Sequence, residues 1–225
     1  MNAPSPANSN ILKKEEIFND LDKAYKEILI KHLDERAIKE DKIYLWMNNI
    51  LTEAKEYFIK KYPDYDLFLY NYICSRNVYF NSNQTGISII ESDGIMNVSI
   101  QTDYLYSILY YFFYKCDNLD YSLDNIENEI IKKGNVLLSK YLNERKYIYD
   151  KVAEYNKSIN DEHVNFIFQK ENYLRCFVLN EIYQNPIKGN FYFKYLSYGK
   201  EIYLRLFQTY TNDSLTSYHI VFFFK

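Results

Sequence analysis

Glycine, proline and cysteine are scarce in this 225-residue chain, at five, four and three copies. Gly86, Gly94, Gly134, Gly189 and Gly199 stand far apart. Neither a P-loop nor a dinucleotide fingerprint is therefore present, since both need closely spaced glycines that bring backbone N–H groups up to phosphate. Cys74, Cys116 and Cys176 are odd in number, widely spaced and flanked by apolar or aromatic residues. That pattern suits reduced core thiols better than a disulfide framework or a zinc cluster, and points to a reducing compartment.

Charge of one sign is also lacking. The net charge is -3, with Lys and Arg interleaved among Asp and Glu, so no basic footprint for a phosphate backbone is present and nucleic acid is disfavoured as a partner. The longest apolar stretch, Tyr104 to Tyr114, falls short of the roughly 20 residues a membrane-crossing helix needs. Met1 to Asn10 is small and polar with Pro4 and Pro6 and lacks an apolar core; the expectation is a disordered tail over 1–10 and a cytoplasmic protein with no membrane partner. The acidic stretch Asp117, Asp120, Asp124, Glu127, Glu129 lacks the central glycine and ligand spacing of a calcium loop. No metal or cofactor is expected.

Aromatic residues are in excess, at 19%, with 26 Tyr and 15 Phe, and the 48% hydrophobic share is that of a folded globule. Tyrosine suits strands and contact surfaces, having a broad apolar ring with a polar tip.

Periodicity divides the chain. Ile17, Leu21, Tyr25, Ile28 and Leu33 recur at helical spacing within Lys13 to Asp41, and a second helix from Ile43 is stopped near Lys61 by Pro63. Short strands follow at Leu67 to Cys74, Val78 to Phe80, Ile87 to Ile90 and Met96 to Ile100, with Asp93-Gly94 reading as a hairpin turn. Tyr104 to Lys115 fits either helix or strand. Ser122 to Lys157 reads as one long helix with Gly134 as a kink. Val164 to Phe168, Tyr173 to Ile182, Phe191 to Leu196, Ile202 to Phe207 and Tyr218 to Phe224 then read as a strand meander.

Helix-then-strands thus occurs twice. Leu105, Ser107, Phe112, Phe113 and Lys115 recur in the spacing of Leu215, Ser217, Phe222, Phe223 and Lys225, which suggests duplication. Matching Gln101-Thr102 to Gln208-Thr209 sets Val98 on Arg205 and reverses the sheet faces unless a bulge intervenes. The fold class expected is α+β, amphipathic helices packed on antiparallel meander sheets, with a helix-plus-strands unit repeated over 11–117 and 118–225.

Three histidines are available for chemistry. His32 reads as a partly solvated partner of Glu35 and Arg36 on the first helix. His163, after Asp161 and Glu162, reads as a solvated turn between helix and strand. His219 shares a strand face with Val221 and Phe223, as a core histidine or the polar group of a pocket. No nucleophile motif surrounds Cys176 or Ser217, and no catalytic residue is assigned.

The remaining candidate is a surface. Alternation sets Ile202, Leu204 and Leu206 on one side of their strand and Tyr203, Arg205 and Phe207 on the other. An aromatic-Arg-aromatic row has the composition of an interface hot spot. The expected function is a non-catalytic protein-binding module (an adaptor, inhibitor, immunity-like or assembly subunit) whose partner is another protein or a second copy. The binding residues are Tyr203, Arg205, Phe207, Tyr218 and His219. The alternative is a small-molecule binder or enzyme with a pocket between helix and sheet around His219, Tyr218 and Arg205.

Overall fold

The computed structural model describes residues 6–33, 39–75, 80–87, 93–115, 126–143, 149–170, 175–184, 191–199, 202–211 and 215–224. In chain order these form α1 (Pro6–Leu33), α2 (Glu40–Lys61), β1 (Tyr65–Ser75), β2 (Phe80–Ile87), β3 (Gly94–Gln101) and β4 (Leu105–Lys115). The second half contributes α3 (Glu127–Leu142), α4 (Tyr149–Lys170), β5 (Arg175–Gln184), β6 (Phe191–Tyr198), β7 (Ile202–Thr211) and β8 (Leu215–Phe224). The fold is α+β with two antiparallel four-stranded sheets. Among the described residues no helix is long and apolar enough to cross a membrane.

The chain forms two compact units. Unit 1 contains α1, α2 and a sheet in the order β3-β4-β1-β6; unit 2 contains α3, α4 and a sheet in the order β2-β5-β8-β7. Each sheet thus takes one strand from the other half of the sequence, and the exchange is reciprocal. Neither half is a simple meander, and Asp93-Gly94 does not turn a hairpin, because β2 pairs with β5 while β3 pairs with β4. Gly94 is needed for packing instead: a Cβ there would lie 2.3 Å from Phe113 Cζ. Left-handed backbone occurs at Gly199, with φ at 94°, directly after β6.

The repeat is visible in the register. α2 and α4 each span 22 residues, and α1 and α3 end at Leu33 and Leu142, both pairs of helices lying 109 positions apart. Asn71 faces Leu109 across β1–β4 as Asn180 faces His219 across β5–β8. The buried polar bond beside them recurs too: Asn71 Nδ2 donates to Ser107 Oγ at 3.1 Å, and Ser217 Oγ donates to Asn180 Oδ1 at 2.8 Å. Ion pairs repeat at the surface, Lys31 with Glu53 and Lys61 with Asp20 in unit 1, Lys140 with Glu162 and Lys170 with Glu129 in unit 2. Their exposure makes them markers of homology more than sources of stability. Val98 corresponds to Gln208, since each faces the equivalent position of its neighbouring strand. The match through Gln101-Thr102 and Gln208-Thr209 is therefore three residues out of step, and no bulge is needed to keep the faces aligned.

Several sequence expectations are corrected. The long helix is two helices, since α3 ends at Leu142 and α4 begins at Tyr149. Val164 to Phe168 belongs to α4, and α1 begins at Pro6, inside the stretch read as a tail. Asn81-Ser82-Asn83, expected as a turn between two strands, lies within the single strand β2, while residues 78, 79 and 88–90 lie outside the described residues. Tyr104 to Lys115 is strand; β4 is buried almost throughout, so no alternation marks it and helix and strand look alike in sequence. In unit 1, Leu67, Leu69, Leu109, Tyr111 and Phe113 of the sheet pack beneath Leu21, Tyr25, Met47 and Phe58 of α1 and α2. Cys74 and Cys176 are buried and free; Cys116 lies outside the described residues.

Candidate functional site

Five residues were singled out by the sequence, and the sheet of unit 2 divides them. β7 is at the edge of that sheet, beside β8. Along it Arg205, Phe207 and Thr209 are exposed while Leu206 and Gln208 are buried, the alternation of a half-buried strand. Phe207 is 49% exposed. Its ring centroid lies 5.7 Å from that of Tyr218 on β8, with the planes 31° apart. The side chain of Tyr203 lies outside the described residues, as do those of Ile202 and Leu204; the pairing of β7 with β8 is irregular between Ile202 and Leu204.

His219 points the other way. It follows Tyr218 in β8 and so projects from the opposite sheet face, fully buried, together with Val221 and Phe223 as alternation required. Tyr218 and Arg205 therefore cannot share a pocket wall with it. Its neighbour is His163, which is not a solvated turn but a buried residue in the body of α4. Helical periodicity turns His163 inward while Glu162 beside it meets Lys140 and Tyr141 at the surface. Those donors hold the Glu162 carboxyl below its usual range, Lys140 first and then Tyr141. His32, the third histidine, meets Glu53 of α2 at 2.8 Å, and its expected neighbours Glu35 and Arg36 lie outside the described residues.

The two imidazoles form a directed chain. His163 Nε2 lies 3.0 Å from the Ile130 carbonyl oxygen, which only accepts, so Nε2 carries the proton and Nδ1 is left as an acceptor. His219 Nε2, 2.7 Å from that Nδ1, must then donate. His219 Nδ1 is left as a bare lone pair, buried and without a partner. Burial holds the basicity of both rings down, His163 to about 4 and His219 well below its ordinary value, with the Lys133 charge acting on His163 in that sense as well.

No protein-family model matches this chain, and no characterised protein matches it in sequence. Its own two units supply the comparison instead. Where unit 1 has Tyr25, Ala54, Val98 and Leu109, unit 2 has Gly134, His163, Gln208 and His219, all buried. These four positions are spatial neighbours in unit 2: His163 bonds His219, Gln208 is the cross-strand partner of His219, and Gln208 fills the space beside Gly134. Gln208 Nε2 donates to the Ile131 carbonyl at 2.7 Å, leaving Oε1 buried without a donor. Asn156 and Asn160 likewise stand where Met47 and Leu51 do, and Asn180 Nδ2 donates to Asn156 Oδ1 at 2.9 Å. At these positions unit 1 has the apolar side chains Met47, Leu51, Ala54, Val98 and Leu109 where unit 2 has buried polar groups, each of which costs stability unless bonded. Gly134 read as a kink and Gln208 as part of the repeat match; their packing together was missed because the helix equivalence of 109 positions was hidden by the misplaced helix boundary.

Gly134→Ala tests this packing. The added Cβ would stand 2.0 Å from Gln208 Oε1, and Gln208 can yield only by losing its bond to Ile131. A loss of about 1–3 kcal/mol is expected in denaturant unfolding despite the higher helix propensity of alanine. Gly134→Ala combined with Gln208→Val, the residue of unit 1, should recover most of it.

An open groove of about 480 Å³ along α3, lined by Asn128, Ile131, Lys132, Asn135, Val136 and Ser139, includes none of the five residues. Among the described residues no group of three or more His, Cys, Asp or Glu is placed to hold a metal ion.

Proposed function

We propose that this protein is a non-catalytic protein-binding module that holds another protein, or a second copy of itself, on the exposed face of β7, through Arg205 and Phe207 with the half-buried Tyr218 of β8 beside them. The observation that carries the reading is the half-exposed Phe207 ring, tilted against Tyr218 and two residues from exposed Arg205, on an edge strand. Aromatic and Arg side chains supply most of the energy at interfaces. An edge strand adds a row of backbone donors and acceptors, and β7 carries neither the Lys nor the Pro that commonly guards such edges. In unit 1 the equivalent positions are Ile95, Asn97 and Ile108, so the row is particular to the second copy. A cytoplasmic setting is part of the proposal, in keeping with the free thiols of Cys74 and Cys176. The pocket alternative has less support, since His219 is sealed and faces away from Tyr218 and Arg205.

The test is the double substitution Arg205→Ala and Phe207→Ala. Both sites are exposed, so stability should change by less than about 1 kcal/mol. Retention of partner from a native lysate, or self-association by light scattering, should fall at least about tenfold. Unchanged retention and mass in the folded double variant would remove the proposal.

A further inference from the structure

Resting on that reading of the face, we infer that binding at β7–β8 is released by acid, with the buried His163–His219 pair as the proton acceptor. The coupling is covalent and short. His219 lies between Tyr218 and Ile220 in β8, and its cross-strand partner Gln208 lies between Phe207 and Thr209 in β7. Each inward polar side chain is thus adjacent in sequence to an outward binding residue, and a strand that shifts to expel one cannot hold the other in place.

The pair accepts a proton at one atom. His163 Nε2–H and His219 Nε2–H are both committed and His163 Nδ1 is accepting, which leaves His219 Nδ1. A charge formed there has no anion to meet among the described residues. On α3 the charged group that acts on His163 is Lys133, of the same sign. On α4, Asp161 and Glu162 precede His163 at positions that point elsewhere on a helix, and Glu162 is held by Lys140 and Tyr141. The inward residues of β5 are Cys176, Val178, Asn180 and Ile182; those of β8 are Ser217, Val221 and Phe223; β7 adds Leu206, Gln208 and Tyr210. None carries a charge near neutrality. β2, which packs on α4, has no ionisable residue in its sequence. An unpaired buried imidazolium therefore gains solvent by loosening the helix layer from the sheet, where α3 packs on β7, α4 packs on β2 and β5, and the His163–His219 bond ties α4 to β8. Unit 1 has Ala54 and Leu109 at the two positions and takes up no proton there.

The experiment uses the full chain and three readouts at about pH 7.5 and pH 5, a range in which unperturbed histidine titrates. Backbone amide exchange of β7 and β8, corrected for intrinsic rates, should rise about tenfold or more on acidification. Fluorescence of Trp46, the single tryptophan, which is buried in unit 1, should hold steady. The binding probe is the material that immobilised wild type retains from native lysate at the higher pH and Arg205→Ala/Phe207→Ala does not; it should elute at the lower pH. His163→Ala/His219→Leu, which restores the residues of unit 1, should flatten both the exchange and the elution. Should that variant not fold, carbon-13 histidine NMR of wild type decides instead, since the two buried rings must take up protons in step with the exchange of β7 and β8. Exchange that ignores pH, or responds equally in the folded double variant, overturns the inference. Exchange that responds while retention does not overturns the link to binding. If no retained material depends on Arg205 and Phe207, the reading of the face fails and the regulation falls with it, while the exchange result still reports whether the pair opens.

Discussion

Phe113→Ala is expected to destabilise unit 1 by about 3–5 kcal/mol, the range for truncating a buried phenylalanine. Phe113 is fully buried on the helix-facing side of β4. Its ring centroid lies 5.2 Å from Phe18, 5.6 Å from Tyr65 and 6.2 Å from Phe58, so alanine removes aromatic contacts from α1, α2 and β1 at once. Gly94 offers no side chain to refill the space. Unfolding followed at Trp46 should show the whole loss as a melting temperature lower by roughly 10 °C or more. A loss under about 1 kcal/mol would mean that Phe113 does not join the helices to the sheet.

The second large effect is the dependence of stability on pH. His163 has its pKa lowered to about 4 by burial, with Lys133 acting in the same sense against the Ile130 bond. The unfolded chain therefore binds the proton first on acidification. Stability is level above the unfolded value near 6.5 and falls as pH drops towards 4, by about 3 kcal/mol for this residue alone. His219 adds to the loss in the same direction. Small domains have about 5–15 kcal/mol in total, so the loss is a large share of the stability of unit 2 and should lower its urea midpoint in mild acid. Carboxylates such as Asp20 and Glu53, whose pKa values are lowered by partners in unit 1, lose their contribution only below the ordinary carboxylate range. Urea midpoints at a series of pH values, read from amides of unit 2, check the sign; a midpoint constant between pH 7 and 5 contradicts it.

The legible parts of the sequence were those with local causes. Ile17, Leu21 and Tyr25 repeat at helical spacing because α1 buries one stripe, and Pro63 ends α2 near Lys61 because its ring excludes a helical neighbour. The alternation of Arg205 and Phe207 with Leu206 was visible because β7 has one wet face. Where both faces are covered, as in β4, apolar residues fill every position and the period is lost. His163 was misplaced for a related reason: Ile159, His163 and Ile167 share the buried face of α4, and the β-type residues Val164, Phe166 and Phe168 around them imitate a strand.

Amphipathic periods, turn residues and the scarcity of glycine and cysteine are properties of short stretches, so the α+β class, the likeness of β4 to β8 and the missing phosphate and disulfide motifs follow from the sequence by itself, while the full repeat, with its helices 109 positions apart, needed the structure. The exchange of β2 and β6 between sheets, and the meeting of His163 with His219 and of Gly134 with Gln208, were decided only by tertiary structure. Strand partners are distant in sequence, β2 with β5 and β1 with β6, and residues 56 positions apart, such as the two histidines, leave no local signal of the contact they will make.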